Sequence, residues 1–177
     1  DLLDHVVHSI LKVVPLADKC VIHLLDDPGR RLYPRYSSKP EWQQTLGMPA
    51  DKGIAGRALQ GPSTLVIDDV RKAQEFLPLK SGRELCSLMV APLYAHDKPL
   101  GTISLNSSVP KAFTEQDKLL VTTLAAQVST AVFQSQIHAS VQQQGQHVET
   151  LLNNLGDGLL VLDGEHRILR CNFAAAH

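Results

Sequence analysis

The sequence predicts an α/β protein of the α+β type, with a central antiparallel β-sheet flanked in sequence by terminal helices. Three observations carry that prediction. Cys86 to Ser107, CSLMVAPLYAHDKPLGTISLNS, alternates with period two on both sides of a polar, proline-containing turn at Ala95 to Pro99, the pattern of two antiparallel strands. Both flanks of the sheet region instead repeat their apolar residues at helical spacing, over residues 1–14 and again from Glu115. With 177 residues, 44% of them hydrophobic, the chain has material for one good core and crowds out a second complete one.

In the first segment, Leu3, Val6, Val7, Ile10, Leu11 and Val14 form an apolar stripe interrupted by Asp4, His8 and Lys12, and Pro15 ends the helix. A single lysine on its polar face argues for packing on protein rather than on anionic lipid. Asp18 to Asp27 reads as a buried strand that returns through Asp26-Asp27-Pro28-Gly29 into Arg31 to Ser37. Within it, His23 shares a face with Val21 and Leu25, opposite Cys20, Ile22 and Leu24. Residues 38–52 are polar and turn-rich and contain Trp42, the only tryptophan.

Gly53-Ile54-Ala55-Gly56 opens a short helix through Gln60, stopped by Gly61-Pro62. Thr64 to Ile67 is a further strand. Asp68 and Asp69 follow it, and neighbours on an extended chain point apart, so one caps a turn and the two do not share a site. Leu77 to Glu84 is a loop. In the central hairpin, Leu88 and Val90 lie on one face, and Ser87, Met89, Ala91 and Leu93 on the other. In its second strand Gly101, Ile103 and Leu105 oppose Leu100, Thr102, Ser104 and Asn106, so one side suits a helical layer and the other borders a polar cavity. Thr114 caps a long helix from Glu115 to about Gln144, which packs on the sheet through Leu119, Leu120, Leu124, Val128, Ala131 and Val132.

Charge and cysteine content exclude several classes of function. Lysine and arginine (17) balance aspartate and glutamate (18), with no basic run to track a phosphate backbone, so nucleic acid is not an expected partner. Cys20, Cys86 and Cys171 are odd in number and widely spaced, which fits a reduced, cytoplasmic compartment and excludes a disulfide frame or a zinc site. No metal is expected. No apolar stretch approaches the length of a membrane span, so direct membrane contact is not expected, although a parent protein with membrane anchors remains open.

The run SLMVAPLYAHDKPLGTISLNS resembles the pattern of the GAF domain, in which a hydrophobic strand ending in Pro-Leu leads through a turn into a Gly-containing strand. Asp51 to Val70, DKGIAGRALQGPSTLVIDDV, resembles the family's Gly-x-x-Gly helix, strand and Asp, and FTEQDKLL from Phe113 resembles the opening of its last helix. The resemblance covers roughly residues 1–140. It implies an N-terminal helix over 1–14, a GAF core over 15–113 and a C-terminal signalling helix over 114–148, with the terminal helices on one face of the sheet and a loop and short-helix lid on the other. Residues 149–177 resemble the beginning of a PAS domain: helix, Gly-Asp-Gly, strand, Asp-Gly turn, strand.

Three functions follow from the resemblance. The first is a sensory, regulatory module of a signal-transduction protein, most often a histidine kinase and next a diguanylate cyclase. It binds an unidentified small molecule, dimerises through its N- and C-terminal helices and relays the signal to an output domain in the same chain. Its pocket is bordered by His23, Met89, Ala91, Thr102, Ser104 and the helix start at Gly53 and Gly56, with Arg57 as partner for an anion. The cofactor is not identified. The second is a dimerisation and relay module without a ligand. The third is a reductase of free methionine sulfoxide, whose cysteine arrangement this sequence does not reproduce, since the loop before Cys86 holds no cysteine. No catalytic residue is assigned to this stretch of chain. The family's cyclic-nucleotide pattern is met at Asn106, Phe113 and Asp117 but broken by Ser107 and Lys118.

Overall fold

The computed structural model describes residues 2–39, 47–74, 85–154, 160–165 and 167–171. The chain forms two compact units, Asp1–Phe133 and Gln134–His177.

In the first unit, helix α1 (Leu2–Val13) precedes strands β1 (Lys19–Leu25), β2 (Arg31–Ser37) and β3 (Met48–Pro49). Helix α2 (Gly53–Ala58), strand β4 (Leu65–Ile67) and a 3-10 turn at Val70–Lys72 follow. Strands β5 (Ser87–Ala95) and β6 (Lys98–Ser107) lead into helix α3 (Glu115–Asn154). The six strands make one antiparallel sheet in the order β3-β2-β1-β6-β5-β4, with both strands of the predicted hairpin in its interior.

The two faces of the sheet have different coverings. Leu3, Val7, Ile10 and Val14 of α1 and Val121, Ala125, Val128 and Val132 of α3 are buried against Cys20, Ile22, Met89, Ala91, Leu93, Ile103 and Leu105. On the opposite face Ile54 and Ala58 of α2 pack with Val70 on Leu88 and Val90. Period-two alternation thus separates a helical core from a lid face. The stripe read from residues 1–14 does pack on the sheet.

Local chemistry accounts for the element ends. Thr114 Oγ1 accepts from the Asp117 amide at 3.1 Å while the Asp117 carboxylate accepts from the Thr114 amide at 2.9 Å, a reciprocal cap that opens α3. Asp69 accepts from the Arg71 amide and ion-pairs with its guanidinium, so the capping acid expected after β4 is Asp69. That pairing holds its carboxyl below the usual range. The turn of the central hairpin is tighter than the sequence implied: Ala95, Lys98 and Pro99 belong to the strands, leaving His96 and Asp97 with φ of +47° and +61°. Two left-handed residues are the geometry that matches the twist of a two-residue hairpin, and glycine adopts it without steric cost. Asp97→Gly is accordingly expected to raise stability by about 0.5–1 kcal/mol, measured as a shift in the urea midpoint. An unchanged or lower midpoint would count against the strain.

Two boundaries differ from expectation. Met48–Pro49 pairs with Arg31 and Leu32 inside the stretch read as loop, and α3 continues through Gly145 to Asn154. Trp42 and the loop Leu77 to Glu84 lie outside the described residues. In the second unit, β7 (Leu160–Leu162) pairs antiparallel with β8 (Ile168–Cys171). Asp163 accepts from the amides of Glu165 and Arg167 to close the turn between them, which is the strand, Asp-Gly turn and strand read from the sequence.

Candidate functional site

The lid face carries a pair of polar side chains, His23 and Thr102, across its middle. Strand register sets Pro34, His23, Thr102 and Pro92 side by side across β2, β1, β6 and β5, with Val21, Ser104 and Val90 in the next row. His23, Thr102 and Ser104 are all buried. Neither His23 Nδ1 nor Thr102 Oγ1 has a hydrogen-bond partner, though directly opposed residues in a sheet hold their Cβ atoms only about 5 Å apart. Buried polar atoms without partners are uncommon because each forfeits its hydration. Two of them facing the same place make a site able to give and take hydrogen bonds. Burial holds His23 in its neutral form by lowering its pKa to about 4, with the nearby Lys19 charge as a smaller contribution. At neutral pH the imidazole therefore offers one N–H and one lone pair, and the threonine hydroxyl offers both functions.

Two irregularities bracket this pair. Between Ile22 and His23 the pairing skips Arg35 of β2, and between Leu93 and Tyr94 it skips Leu100 of β6. Such bulges bend strands and re-aim side chains. The second explains why Leu100, which shares the parity of Thr102, is instead buried with the helical core. Next to it, Gly101 passes so close to β1 that a Cβ would stand 2.0 Å from the His23 carbonyl oxygen. Only glycine permits this approach.

Beyond the pair, a cavity of about 550 Å³ is lined by Leu25, Gly29 and Arg30 of the β1–β2 region, Ala50 and Asp51, Gly56, Leu59 and Gln60 of the α2 region, and Pro99. Leu25 lies two residues along β1 from His23, on the same face. Gly56 seats α2 beside it, since a Cβ there would meet the Ala50 carbonyl oxygen at 2.8 Å. At the far end of α2, the Tyr94 hydroxyl donates to the Leu59 carbonyl.

Of the residues expected at a pocket, His23, Thr102 and Ser104 come together on the lid face, and Gly56 lines the cavity. Met89 and Ala91 do not: they are fully buried in the helical core. The register pairs Met89 with Leu105 and Ala91 with Ile103, so the β5 neighbours of Ser104 and Thr102 are Val90 and Pro92. Gly53 begins α2 with φ of +70° and Arg57 is exposed on it; neither lines the cavity. Sequence reasoning missed Pro92 and Tyr94. Alternation alone would have placed both on the face of Leu88 and Val90.

The two cysteines whose side chains are described lie apart. Cys20 faces the helical core, where burial pushes its thiol up to about 12, and Cys86 is buried at the entry of β5 with the parity of Leu88. Among the described residues no cluster of His, Cys, Asp and Glu is arranged to hold a metal ion, and no helix is long and apolar enough to cross a membrane.

Solved structures share this architecture. The GAF domain of a phosphoenolpyruvate-protein phosphotransferase from Acinetobacter superposes with a TM-score of 0.69 at 23% identity, covering 76% of this chain and 82% of its own. A type II free methionine-R-sulfoxide reductase from Thermoplasma acidophilum gives 0.66 at 16% identity, covering 75% and 91%. The second GAF domain of DevS from Mycobacterium smegmatis gives 0.60 at 18% identity, covering 80% and 95%. At these identities the likeness is one of fold. No curated protein sequence matches the chain. The family model for the GAF domain matches residues 1–132, and that match, with the antiparallel sheet between terminal helices and a lid helix, makes this chain a member of the GAF family.

Proposed function

We propose that the Asp1–Phe133 unit is the sensory module of a cytoplasmic signal-transduction protein of the sensor histidine kinase kind. It binds a small polar molecule between the lid and the sheet and relays the event through α3 to an output domain. The observation that carries this reading is the pair of buried, unpartnered polar atoms, His23 Nδ1 and Thr102 Oγ1, opposed beneath the lid face. A fold that keeps such a pair loses stability that a ligand's hydrogen bonds restore. Resemblance to GAF domains of signalling proteins supports the regulatory role, and the β7–β8 hairpin with its Asp-Gly turn supports reading residues 149–177 as the beginning of a PAS domain. Dimerisation through α1 and α3 belongs to the same proposal. Cys20 lies in the helical core and Cys86 outside it, ahead of β5, which weighs against a two-cysteine reductase.

The test joins native mass spectrometry with calorimetric titration of whatever molecule is carried. Wild-type protein is expected to show a mass above that of the polypeptide. Thr102→Val is expected to lose the added mass and to gain about 1–2 kcal/mol in denaturant unfolding of the ligand-free chain, because an isosteric methyl replaces an unsatisfied hydroxyl. A Thr102→Val protein that binds as before and is no more stable would remove the pair as the site. Direct packing of Ile54 and Ala58 on Leu88 and Val90 favours a second reading, a relay module that uses no ligand. In that case the bare mass persists while the stability gain remains.

A further inference from the structure

Helix α3 carries two hydroxyl side chains seven residues apart, therefore on one face, that are engaged in the same way. Ser129 Oγ donates to the Ala125 carbonyl at 2.7 Å and Thr122 Oγ1 to the Lys118 carbonyl at 2.6 Å. Each hydroxyl proton is thereby committed to the helix's own backbone, and each oxygen is left to accept. Ser129 accepts from the backbone amide of Tyr94 at 3.0 Å, and Thr122 accepts from the hydroxyl of Thr64 at 2.6 Å. Both donors are attached to the C-terminal end of the lid helix. Tyr94 sends its own hydroxyl to the Leu59 carbonyl, the C-cap of α2, and Thr64 lies five residues beyond Leu59 on the chain that leaves α2.

Tyr94 is unusual in serving both faces of the sheet. It sits at the β5–β6 bulge, where the pairing shifts from Leu93 opposite Gly101 to Tyr94 opposite Pro99. Its backbone is held from the helical side while its side chain reaches the lid. Ser129 is buried on α3, so water does not compete freely for its tie to Tyr94; in the second tie Thr64 is buried ahead of β4 while Thr122 is exposed. Leu59, the acceptor on the lid, is also a wall of the 550 Å³ cavity. Hydroxyls bonded to the carbonyl four residues back bend a helix slightly, so a change in either tie acts directly on the geometry of α3.

We propose that Tyr94, assisted by Thr64, is a positioning residue that couples the lid helix α2 to helix α3 through Ser129 and Thr122. The proposal rests on the sensory reading for its purpose, but the coupling is a property of the unliganded chain. Movement of Leu59 toward or away from a molecule in the cavity pulls on the Tyr94 ring, and the Tyr94 amide passes the displacement to Ser129. The path crosses the sheet at the end of β5, where the bulge beside Tyr94 interrupts the pairing.

Amide hydrogen exchange of the ligand-free 177-residue chain tests this. The lid is loosened by Ile54→Ala, which removes a buried contact of α2 with Leu88 and Val90, and exchange is read in α3 from Ala125 to Phe133. In the otherwise wild-type chain, Ile54→Ala is expected to speed exchange there about fivefold, the scale of one lost hydrogen bond. In the Tyr94→Phe background the same substitution is expected to change it less than about twofold. Should Ile54→Ala not fold, Ala58→Gly loosens the lid in its place. An α3 that ignores the lid in the wild-type background, or responds equally without the tyrosine hydroxyl, overturns the coupling. Failure to find any bound molecule would instead count against the sensory reading and leave these exchange rates unchanged.

Discussion

Gly101→Ala is expected to cost about 3 kcal/mol or more of stability. The reason is the neighbour it meets. The new Cβ would stand 2.0 Å from the His23 carbonyl oxygen and 3.0 Å from Leu24 Cα, all backbone atoms of the central strand β1. A side chain would rotate out of the way, but a paired strand moves only by opening its ladder, and β1 and β6 are joined from Lys19–Asn106 to Leu24–Gly101. Equilibrium urea unfolding followed by circular dichroism measures the loss, with Gly61→Ala as control. A Cβ on Gly61 meets nothing within 4 Å, so that variant is expected within about 0.5 kcal/mol of wild type. If Gly101→Ala lost less than about 1 kcal/mol, the close approach of β1 and β6 would be wrong.

The second large effect is a loss of stability in mild acid. Burial, aided by the charge of Lys19, lowers the His23 pKa from 6.5 to about 4 in the folded protein. Between those values the unfolded chain binds a proton that the folded one does not, so stability rises with pH across that window. The contribution of neutral His23 is fully present above pH 6.5 and is lost progressively as the pH falls toward 4. Integrated over the shift it amounts to about 3 kcal/mol. His23→Leu cannot take up the proton and is expected to remove this part of the pH dependence. Urea midpoints collected from pH 7.5 to 4.5 check the difference between the two proteins. Parallel curves would mean that His23 is solvated, and the unpartnered pair with Thr102 would then lose its significance as a site. A molecule that bonds Nδ1 of the neutral ring would bind less well over the same acid window.

Most of the fold was legible because its signals are local. Alternation at Cys86 to Ser107 marked the central hairpin, the stripe of Leu3, Val7, Ile10 and Val14 marked α1, and Thr114 with Asp117 marked the opening of α3. His23, Thr102 and Ser104 were legible as polar positions in apolar strands, a local anomaly that draws notice before any partner is known. Met89 and Ala91 were misplaced because alternation assigns faces within one strand but not which face of the next strand lies beside them. That depends on register, and a one-residue choice exchanges the two sets. The β3 strand was missed for a related reason: two residues carry no period, and only pairing with Arg31 and Leu32 defines them.

Taken alone, the amino-acid sequence determined the helices, the strands other than β3, the order of those elements, the GAF family and the polar character of one sheet face. Each follows from periodicity, capping chemistry and short motifs that act within about ten residues. Tertiary structure alone decided that Pro92 rather than Met89 or Ala91 neighbours Thr102, that Gly101 must lack a side chain, and that Tyr94 touches the lid and the long helix at once. These depend on strand register, on bulges at Arg35 and Leu100, and on backbones brought within van der Waals range from distant parts of the chain. Such contacts form only when the sheet closes.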